Sequence, residues 1–186
     1  MQLVANRECG QCTVCCRVPA IDHPDLQKPP GVTCPNCKIG GCKIYETRPE
    51  PCRGFFCGWR YLPDLKQDWR PDKNGILIRF QPAPRGYQQP SAFQFLVFGG
   101  GDVVTPVFTG YLATLIGRRV AVFLALRGPD GFSDVSVLLN EYAAEAVAKR
   151  DRNAFVKIVR EALAAMAKNK FEPAVLKHAP PAAQRQ

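Results

Sequence analysis

Nine cysteines lie in the first third of the chain, and their types and spacing could form a metal-binding site. They are Cys9, Cys12, Cys15, Cys16, Cys34, Cys37, Cys42, Cys52 and Cys57. Two cysteines separated by two residues can face one metal ion while nearby backbone amides turn towards the sulfurs. No cysteine follows Cys57, whereas thiols that only fill a core would be scattered along the chain. The pattern therefore predicts a thiolate metal site.

The first cluster, Cys9 to Cys16, uses this spacing twice and ends in two adjacent cysteines. Its first three thiols resemble the start of a ferredoxin ligand sequence, in which the fourth ligand often lies elsewhere. Adjacent side chains point in different directions, so Cys15 and Cys16 are not expected to complete one compact tetrahedron. Either the two serve different metal centres, or one of them lies outside the ligand set.

The second cluster supplies five further thiols. These are Cys34, Cys37, Cys42, Cys52 and Cys57. Gly40 and Gly41 allow the backbone to turn tightly before Cys42. Ligands that are all thiolates suit both zinc and iron–sulfur clusters, and their spacing does not choose between these metals. Histidine is scarce, and His23, between Asp22 and Pro24, is predicted to be a loop residue and not a ligand.

This cysteine content does not indicate a disulfide scaffold. Such scaffolds form in oxidising compartments, which proteins usually reach through a secretory signal. Residues 1–8 contain no apolar core and no small-residue cleavage site. The longest apolar run, residues 120–126, is far shorter than the ~18 residues of a membrane span. We therefore expect a reduced, cytoplasmic chain without a membrane segment.

Two stretches of the sequence carry a family pattern. They are Cys9-x2-Cys12-x2-Cys15-Cys16 and Gly41-Cys42-x-Ile44-Tyr45-Glu46-x-Arg48-Pro49-x-x-Cys52-Arg53-x-Phe55-x-Cys57. Together they resemble the YkgJ-type cysteine-cluster proteins, which have a zinc- or iron-chelating CxxCxxCC domain. The resemblance covers about the first third of the chain. It implies that the chelating set contains Cys9, Cys12, Cys15, Cys16, Cys42, Cys52 and Cys57.

The family pattern also implies one more chelating cysteine shortly before Gly41, and Cys34 and Cys37 compete for that place. A related cysteine cluster in bacterial flagellin lysine methylases is associated with an iron–sulfur centre. Nothing after residue 60 in this chain suggests a methyl-donor site, so the resemblance implies the metal centre without implying that activity.

Cationic side chains are interleaved with the thiols. They are Arg17, Lys38, Lys43, Arg48 and Arg53. Four thiolates around a zinc ion or an oxidised four-iron cluster leave a charge of about −2. Nearby cations offset that charge, and Arg48 and Arg53 are the strongest candidates because they belong to the family pattern. Glu46 is expected to pair with an arginine and not to bind iron.

The sequence predicts four regions, of which the first carries the thiols and the others must position it. Residues 1–60 contain few aliphatic residues and no sustained periodicity, so their packing cannot offset the loss of chain entropy. Metal–thiolate bonds are expected to organise them. The predicted fold is α+β, with this irregular module packed on a small domain of short strands and about three helices. Residues 61–74 are predicted to be a connector, residues 75–177 the α+β domain and residues 178–186 a flexible tail.

Hydrophobic periodicity and turn residues predict the elements of the α+β domain. Alternation predicts strands at 76–80 and 93–97, and the apolar run 120–126 predicts a buried strand. Thr105 is predicted to cap a helix over 106–117, and residues 134–149 to form a short strand followed by a helix from Asn140. A further helix is predicted over 151–168.

The remaining sequence excludes several classes of function. The net charge of +9 is not concentrated in any run, and the chain has no P-loop, dinucleotide-binding, serine-hydrolase or zinc-protease motif. Scarce histidine argues against a cysteine nucleophile with a histidine base. Whether the chain is an enzyme stays open, because a modifying enzyme would need a substrate pocket in residues 75–170.

We therefore expect a metal-binding protein that holds an iron–sulfur cluster, with 4Fe–4S favoured, or zinc, and has a redox or metal-handling role. The alternative is a zinc-stabilised module that binds nucleic acid or protein without catalysis. For that alternative, aromatic and cationic residues near the end of the cysteine-rich part could stack on unpaired bases. These residues are Arg53, Phe55, Phe56, Trp59, Arg60 and Tyr61.

Overall fold

The computed structural model describes residues 2–178, and these form an α+β protein, as predicted. The helices are α1 (Val14–Arg17), α2 (Glu50–Gly54), α3 (Gly58–Tyr61), α4 (Pro71–Asn74), α5 (Pro106–Gly117), α6 (Asn140–Ala148) and α7 (Arg152–Ala167). The strands are β1 (Ile21–His23), β2 (Leu26–Lys28), β3 (Cys37–Lys38), β4 (Gly41–Cys42), β5 (Ile76–Pro82), β6 (Ser91–Val97), β7 (Val122–Leu126) and β8 (Val135–Leu138). Of the predicted tail, only His178 belongs to the described residues.

The central sheet has the strand order β5-β6-β7-β8. Strands β5 and β6 pair antiparallel, β6 and β7 pair parallel, and β7 and β8 pair antiparallel. The parallel pair requires a long crossover, which α5 supplies. Gly75, at φ +71°, ends α4 in the left-handed conformation, and Asn74 Oδ1 accepts a hydrogen bond from Ile76 N at 3.0 Å. The turn at residues 74–75 therefore leads directly into β5.

One face of the sheet carries the larger hydrophobic core. Alternation along the strands places Ile78, Phe95 and Leu124 on this face, where they are buried with residues of α5, α6 and α7. Thr105 caps α5 as the sequence predicts, since its Oγ1 accepts from Phe108 N at 3.2 Å. Asp151 caps α7 in the same way, since its Oδ1 accepts from Ala154 N at 2.9 Å. The predicted strands and helices of residues 75–177 are thus confirmed.

The opposite face of the sheet contacts the cysteine-rich part of the chain. Leu77, Leu96 and Ala125 alternate with the residues of the first face and form a second cluster with Val14 and Val18. Cys12 and Cys57 pack at the edge of this cluster. The sheet therefore packs against helices on one face and against the cysteine-rich segment on the other.

Residues 61–74, predicted to be a connector, contain a turn of 3-10 helix at Gln67–Trp69 as well as α4. Leu65 and Trp69 are buried in the same core as the helices. The Trp69 ring also lies 5.0 Å from the Tyr111 ring of α5, measured between centroids. This segment therefore leads from the cysteines to β5 while held firmly against the helical layer.

Substituting Gly58 by alanine is expected to destabilise the fold, because α3 passes very close to β5 there. An added Cβ would lie 2.7 Å from Ile78 Cβ, and such overpacking costs about 1–3 kcal/mol. Gly110→Ala is the matched control, because its Cβ would meet nothing within 4 Å and alanine is favoured inside a helix by about 0.5–1 kcal/mol. Urea unfolding should give shifts of opposite sign, and equal shifts would contradict the close approach.

Candidate metal centre

All nine cysteines are reduced and lie in or beside the short elements that precede the sheet. Cys34 is buried, Cys15 is exposed, and the other seven have intermediate exposure. Their mutual influence on one another's pKa divides the thiols into two sets. The Cys16 set contains Cys15, Cys16, Cys34, Cys37, Cys42 and Cys52, and the Cys57 set contains Cys9, Cys12 and Cys57.

Backbone hydrogen bonds hold the Cys16 set together. Cys34 N donates to Cys16 O at 2.9 Å, and Cys37 N donates to Cys34 O at 2.9 Å. The second bond closes the turn between two cysteines separated by two residues, so both side chains project from one tight turn. A distant residue, Cys16, is thereby fixed beside this turn.

The hairpin of β3 and β4 adds a fourth thiol to this set. Cys37 and Cys42 are opposite each other in the antiparallel pair. The next pair outward is hydrogen-bonded, with Lys43 N donating to Asn36 O at 2.8 Å. Hydrogen-bonded and non-hydrogen-bonded pairs alternate, so Cys37 and Cys42 form a non-hydrogen-bonded pair with close side chains on one face. Both Cys34 and Cys37, which compete in the family pattern, thus belong to this set.

Two further cysteines, Cys52 and Cys15, belong to this set through their effects on thiol pKa values. Burial raises the pKa of Cys52, and the charges of Cys16 and Cys34 raise it further. A hydrogen bond to Cys15, followed by burial, raises the pKa of Cys16. Cys15 and Cys16 therefore lie in one set, with Cys15 as the exposed member.

The Cys57 set brings the start of the chain to α3. Cys12 N donates to Cys9 O at 3.0 Å, which closes a second turn of the same type around Gly10 at φ +55°. Cys57 is the residue that precedes α3. Burial raises the pKa of Cys57 to about 11, with a further contribution from the charges of Cys9 and Cys12. The sequence does not indicate that Cys57 lies near Cys9 and Cys12, because all six cysteines of the Cys16 set lie between them in the chain.

Arg7 anchors the start of the chain, and sequence reasoning missed it. Its guanidinium donates to Leu62 O at 2.8 Å, to Leu65 O at 2.6 Å and also to Trp59 O. Val4 N donates to Arg60 O at 2.8 Å in the same region. These contacts fix the segment before Cys9 against the end of α3. No local pattern indicates them, because the bonded residues are far apart in sequence.

A buried lysine is the cation built into the Cys16 set. Lys28 is 1% exposed, and its Nζ donates to Val32 O at 2.7 Å and Pro29 O at 3.1 Å. Burial lowers the pKa of Lys28, and the nearby charges of Cys34 and Cys16 oppose that shift. The sequence offered no signal for this role, because lysine is mostly exposed in proteins.

The cations proposed from the sequence lie mainly at the surface. Lys38, Lys43 and Arg53 are exposed. Arg48 lies over the Tyr45 ring at 3.7 Å from the centroid, and its charge lowers the pKa of Cys52. Arg17 acts in the same direction on Cys37.

Glu46 and His23 are not placed as the sequence predicts. Within residues 2–178, Glu46 is exposed and has no ion pair with an arginine, so the predicted pairing is wrong. Arg48, two residues further on, instead lies over the Tyr45 ring. His23 ends β1 instead of lying in a loop, and its Nδ1 accepts from Asp25 N at 3.2 Å.

The aromatic residues near Cys57 pack within the protein. Trp59 is 1% exposed, and its Nε1 donates to Lys66 O at 3.0 Å. Tyr61 packs edge-on against Phe56 and Phe80, with ring centroids 6.1 and 5.7 Å apart. These rings therefore connect α3 to the sheet.

The thiols are gathered but do not converge on a single point. Among residues 2–178, no three His, Cys, Asp or Glu side chains are arranged so that they could hold a metal ion. Side-chain rotation moves a cysteine sulfur without moving its backbone. The turns and the hairpin therefore provide the backbone framework of a site, and metal binding would require the sulfurs to turn inward.

A cavity of about 650 Å³ lies between α4 and the start of α5, and no cysteine is among the residues that line it. Trp69, Phe98 and Phe108 line it, together with Asp72. Most of the residues that line it belong to the range 75–170, in which a modifying enzyme would need its substrate pocket.

Comparison with known proteins gives no match: no family model, curated protein or solved structure is significantly similar to the chain. The resemblance to the YkgJ-type proteins therefore stays a prediction that rests on the quoted residues. Within residues 2–178, no helix has the length and apolar character needed to cross a membrane.

Proposed function

We propose that residues 2–60 bind metal through their cysteines, as an iron–sulfur cluster or as zinc, and serve a redox or metal-handling role. The observation that carries this proposal is the gathering of nine reduced thiols, from distant parts of the segment, into two sets beside one sheet. A segment that needed only small apolar residues would have no reason to use thiols in this number. The proposal includes membership of the YkgJ-type family.

The backbone arrangement supports this function. Two turns each present a pair of cysteines, one around Gly10 and one at Cys34 to Cys37. The hairpin then places Cys42 beside Cys37. Turns of this kind present two sulfurs on one side of the chain, which is the common half-site of thiolate metal binding.

Metal binding to these thiols is expected to release protons. Metal ligation requires thiolates, but burial raises the pKa of Cys12, Cys52 and Cys57. The thiols are therefore protonated near neutral pH in the metal-free chain and release protons when a metal binds. Metal affinity should consequently increase with pH over the neutral range.

The two sets suit two separate centres. Six thiols in the Cys16 set exceed the four that one zinc ion needs, and they also suffice for a four-iron cluster. The Cys57 set lies at the edge of the second hydrophobic cluster, with its own neighbouring arginines. Each set thus has thiols and cations of its own.

Anaerobic purification followed by metal and acid-labile sulfide analysis tests the proposal. Stoichiometric iron and sulfide with visible charge-transfer absorption would identify a cluster, whereas a colourless protein with zinc and no sulfide would identify a zinc site. Cys34→Ser should lose the metal of the Cys16 set, while the neighbouring Thr33→Ser, which removes no thiol, should retain it. Absence of stoichiometric metal from the wild-type chain would refute the proposal.

A further inference from the structure

The hairpin of β3 and β4 holds Cys37 and Cys42 directly opposite each other. The pair is not hydrogen-bonded, because Lys43 N donates to Asn36 O at 2.8 Å in the next pair outward. In such pairs the Cα atoms are about 4.5 Å apart, and disulfides join cysteines whose Cα atoms are about 4.4–6.8 Å apart. We propose that Cys37 and Cys42 are a site of reversible oxidation, at which a small disulfide such as glutathione disulfide converts the two thiols into a cross-strand disulfide.

The loop of the hairpin fixes the register that brings the two thiols together. Lys38 pairs with Gly41, so the loop contains only two residues, and loop length sets the register of a hairpin. Gly40, in the loop, has the left-handed conformation at φ +79°, which glycine adopts more readily than other residues. A slip of one residue would place Cys42 on the opposite face from Cys37. The sequence of the loop therefore supports the pairing of the two cysteines.

Both thiols of the hairpin are accessible to a small oxidant. Cys37 and Cys42 have intermediate exposure, whereas Cys34, the other cysteine close to Cys37 in the chain, is buried. A Cβ added at Gly40 or Gly41 would meet nothing within 4 Å, so the tip of the hairpin is clear of the rest of the protein. The hairpin therefore has room for the glutathione of a mixed disulfide, which is the intermediate of thiol–disulfide exchange.

Two lysines directly follow the two cysteines in the chain. Lys38 and Lys43 are exposed, and within residues 2–178 neither forms an ion pair. Glutathione disulfide is an anion, because it has more carboxylates than amines. Positive charge attracts an anionic reactant and raises its local concentration, so these lysines favour the approach of this oxidant to the hairpin.

The reaction consists of two exchange steps. One thiolate of the pair attacks a sulfur of glutathione disulfide, which forms a mixed disulfide and releases one glutathione thiolate. The other thiolate attacks the protein sulfur of the mixed disulfide, which forms the Cys37–Cys42 bond and releases the second glutathione. The protons of the two cysteines pass to the released thiolates, and two electrons leave the pair to reduce the oxidant. Cys37 Sγ lies 3.9 Å from Lys38 O in the reduced chain, so rotation about the Cα–Cβ bond is needed to direct it to Cys42.

The disulfide withdraws two thiols from the Cys16 set, a consequence that rests on the proposed metal-binding function. Four thiols of the set remain, namely those of Cys15, Cys16, Cys34 and Cys52. Adjacent Cys15 and Cys16 are not expected to complete one compact tetrahedron, so fewer than the four ligands that a zinc ion needs are left. Oxidation should therefore release the metal of the Cys16 set, and bound metal should protect the hairpin from oxidation.

Equilibration of the full-length, anaerobically purified protein with glutathione buffers of increasing oxidising strength tests this assignment. Free thiols are then alkylated, and trypsin separates peptide 18–38 from peptide 39–43. A Cys37–Cys42 disulfide links these two peptides, and tandem mass spectrometry distinguishes it from a link through Cys34. This link should form in weaker oxidising buffers than any other disulfide. An equilibrium measurement suits the site, because burial raises the pKa of Cys37 and slows its reaction near neutral pH.

Cys42→Ser should abolish the link between the two peptides. Cys52→Ser is the matched control, because it also removes one thiol of the Cys16 set but lies outside the hairpin, and it should retain the link. The wild type in concentrated urea should give a mixture of disulfides without this preference. Absence of the link from the folded wild type, or the same mixture with and without urea, would overturn the inference and leave the proposed function intact.

Metal analysis of the same samples separates the disulfide from its consequence. Bound metal should decrease in proportion to the link as the buffers become more oxidising. A link that forms while all metal stays bound would overturn the coupling of oxidation to metal release. A link in wild-type protein that holds no metal even when fully reduced would support the disulfide and refute the proposed function.

Discussion

Removal of metal is expected to unfold residues 2–60 while the helical layer stays folded. Apart from Trp59, which packs into the larger core, the cysteine-rich segment has few buried apolar residues, chiefly Val14, Val18 and Ile21. Binding of a structural zinc ion supplies about 10–16 kcal/mol at neutral pH, so its loss removes most of what holds this segment. Helices α5, α6 and α7 instead share a continuous apolar core with one sheet face, which does not depend on the thiols.

Amide hydrogen exchange before and after chelation measures this difference. The amides of Cys12, Cys34 and Cys37, which close the turns, should lose protection by several orders of magnitude. Amides in the middle of α7, around Val159, should remain protected in the same sample. Uniform protection across the chain after the metal is removed would contradict the prediction, and re-addition of metal should restore the lost protection.

The second half of the fold was predictable because local rules determine it. Alternation in Ile76 to Phe80 follows from a sheet that is covered on both faces by different partners, and the structure confirms β5 there. Asp151 and Thr105 precede helices and accept hydrogen bonds from amides three residues later. Each of these signals lies within a few residues of the element that it predicts.

The candidate site was predictable in composition but not in arrangement. Cysteine spacing indicated metal ligation, yet it could not show that Cys57 joins Cys9 and Cys12. That association depends on Arg7, whose guanidinium binds carbonyls more than fifty positions away. Lys28 was missed for the same reason, since its partners are set by tertiary packing and a lone lysine carries no local signature.

The Cys57 set contacts the central sheet directly. Cys12 and Cys57 pack against residues of the second cluster, which includes Leu77 and Leu96 of the central strands. Changes in the Cys57 set therefore act directly on β5 and β6. The Cys16 set is connected to the sheet less directly, through α1 and the residues around Lys28.

Substitution of Lys28 by methionine is expected to be among the most damaging single changes in the cysteine-rich segment. Methionine has a similar length and fills much of the same space, so the change removes mainly the charge and the donors. Val32 O and Pro29 O then lose their partner in a buried environment, as does the weaker acceptor Arg17 O at 3.4 Å. Hydrogen bonds from a charged donor contribute about 1.5–3 kcal/mol each. Relief of the buried charge offsets part of this loss, which gives an expected decrease of about 2–4 kcal/mol in the free energy of unfolding.

The same change should also weaken metal binding, because the Lys28 ammonium lies near Cys16 and Cys34 and offsets the charge of their thiolates. Lys38→Met is the matched control, since Lys38 is an exposed lysine next to Cys37 and should change stability by no more than about 0.5 kcal/mol. Urea unfolding of the metal-loaded protein gives the stability, and competition with a chromophoric chelator gives the affinity. A Lys28→Met protein with the stability and affinity of the Lys38→Met protein would show that the buried ammonium does not support the thiolates. A loss of metal affinity in Lys28→Met but not in Lys38→Met would show that the Cys16 set depends on a buried cation. The arginines of the family pattern would then not be the main source of positive charge at this set.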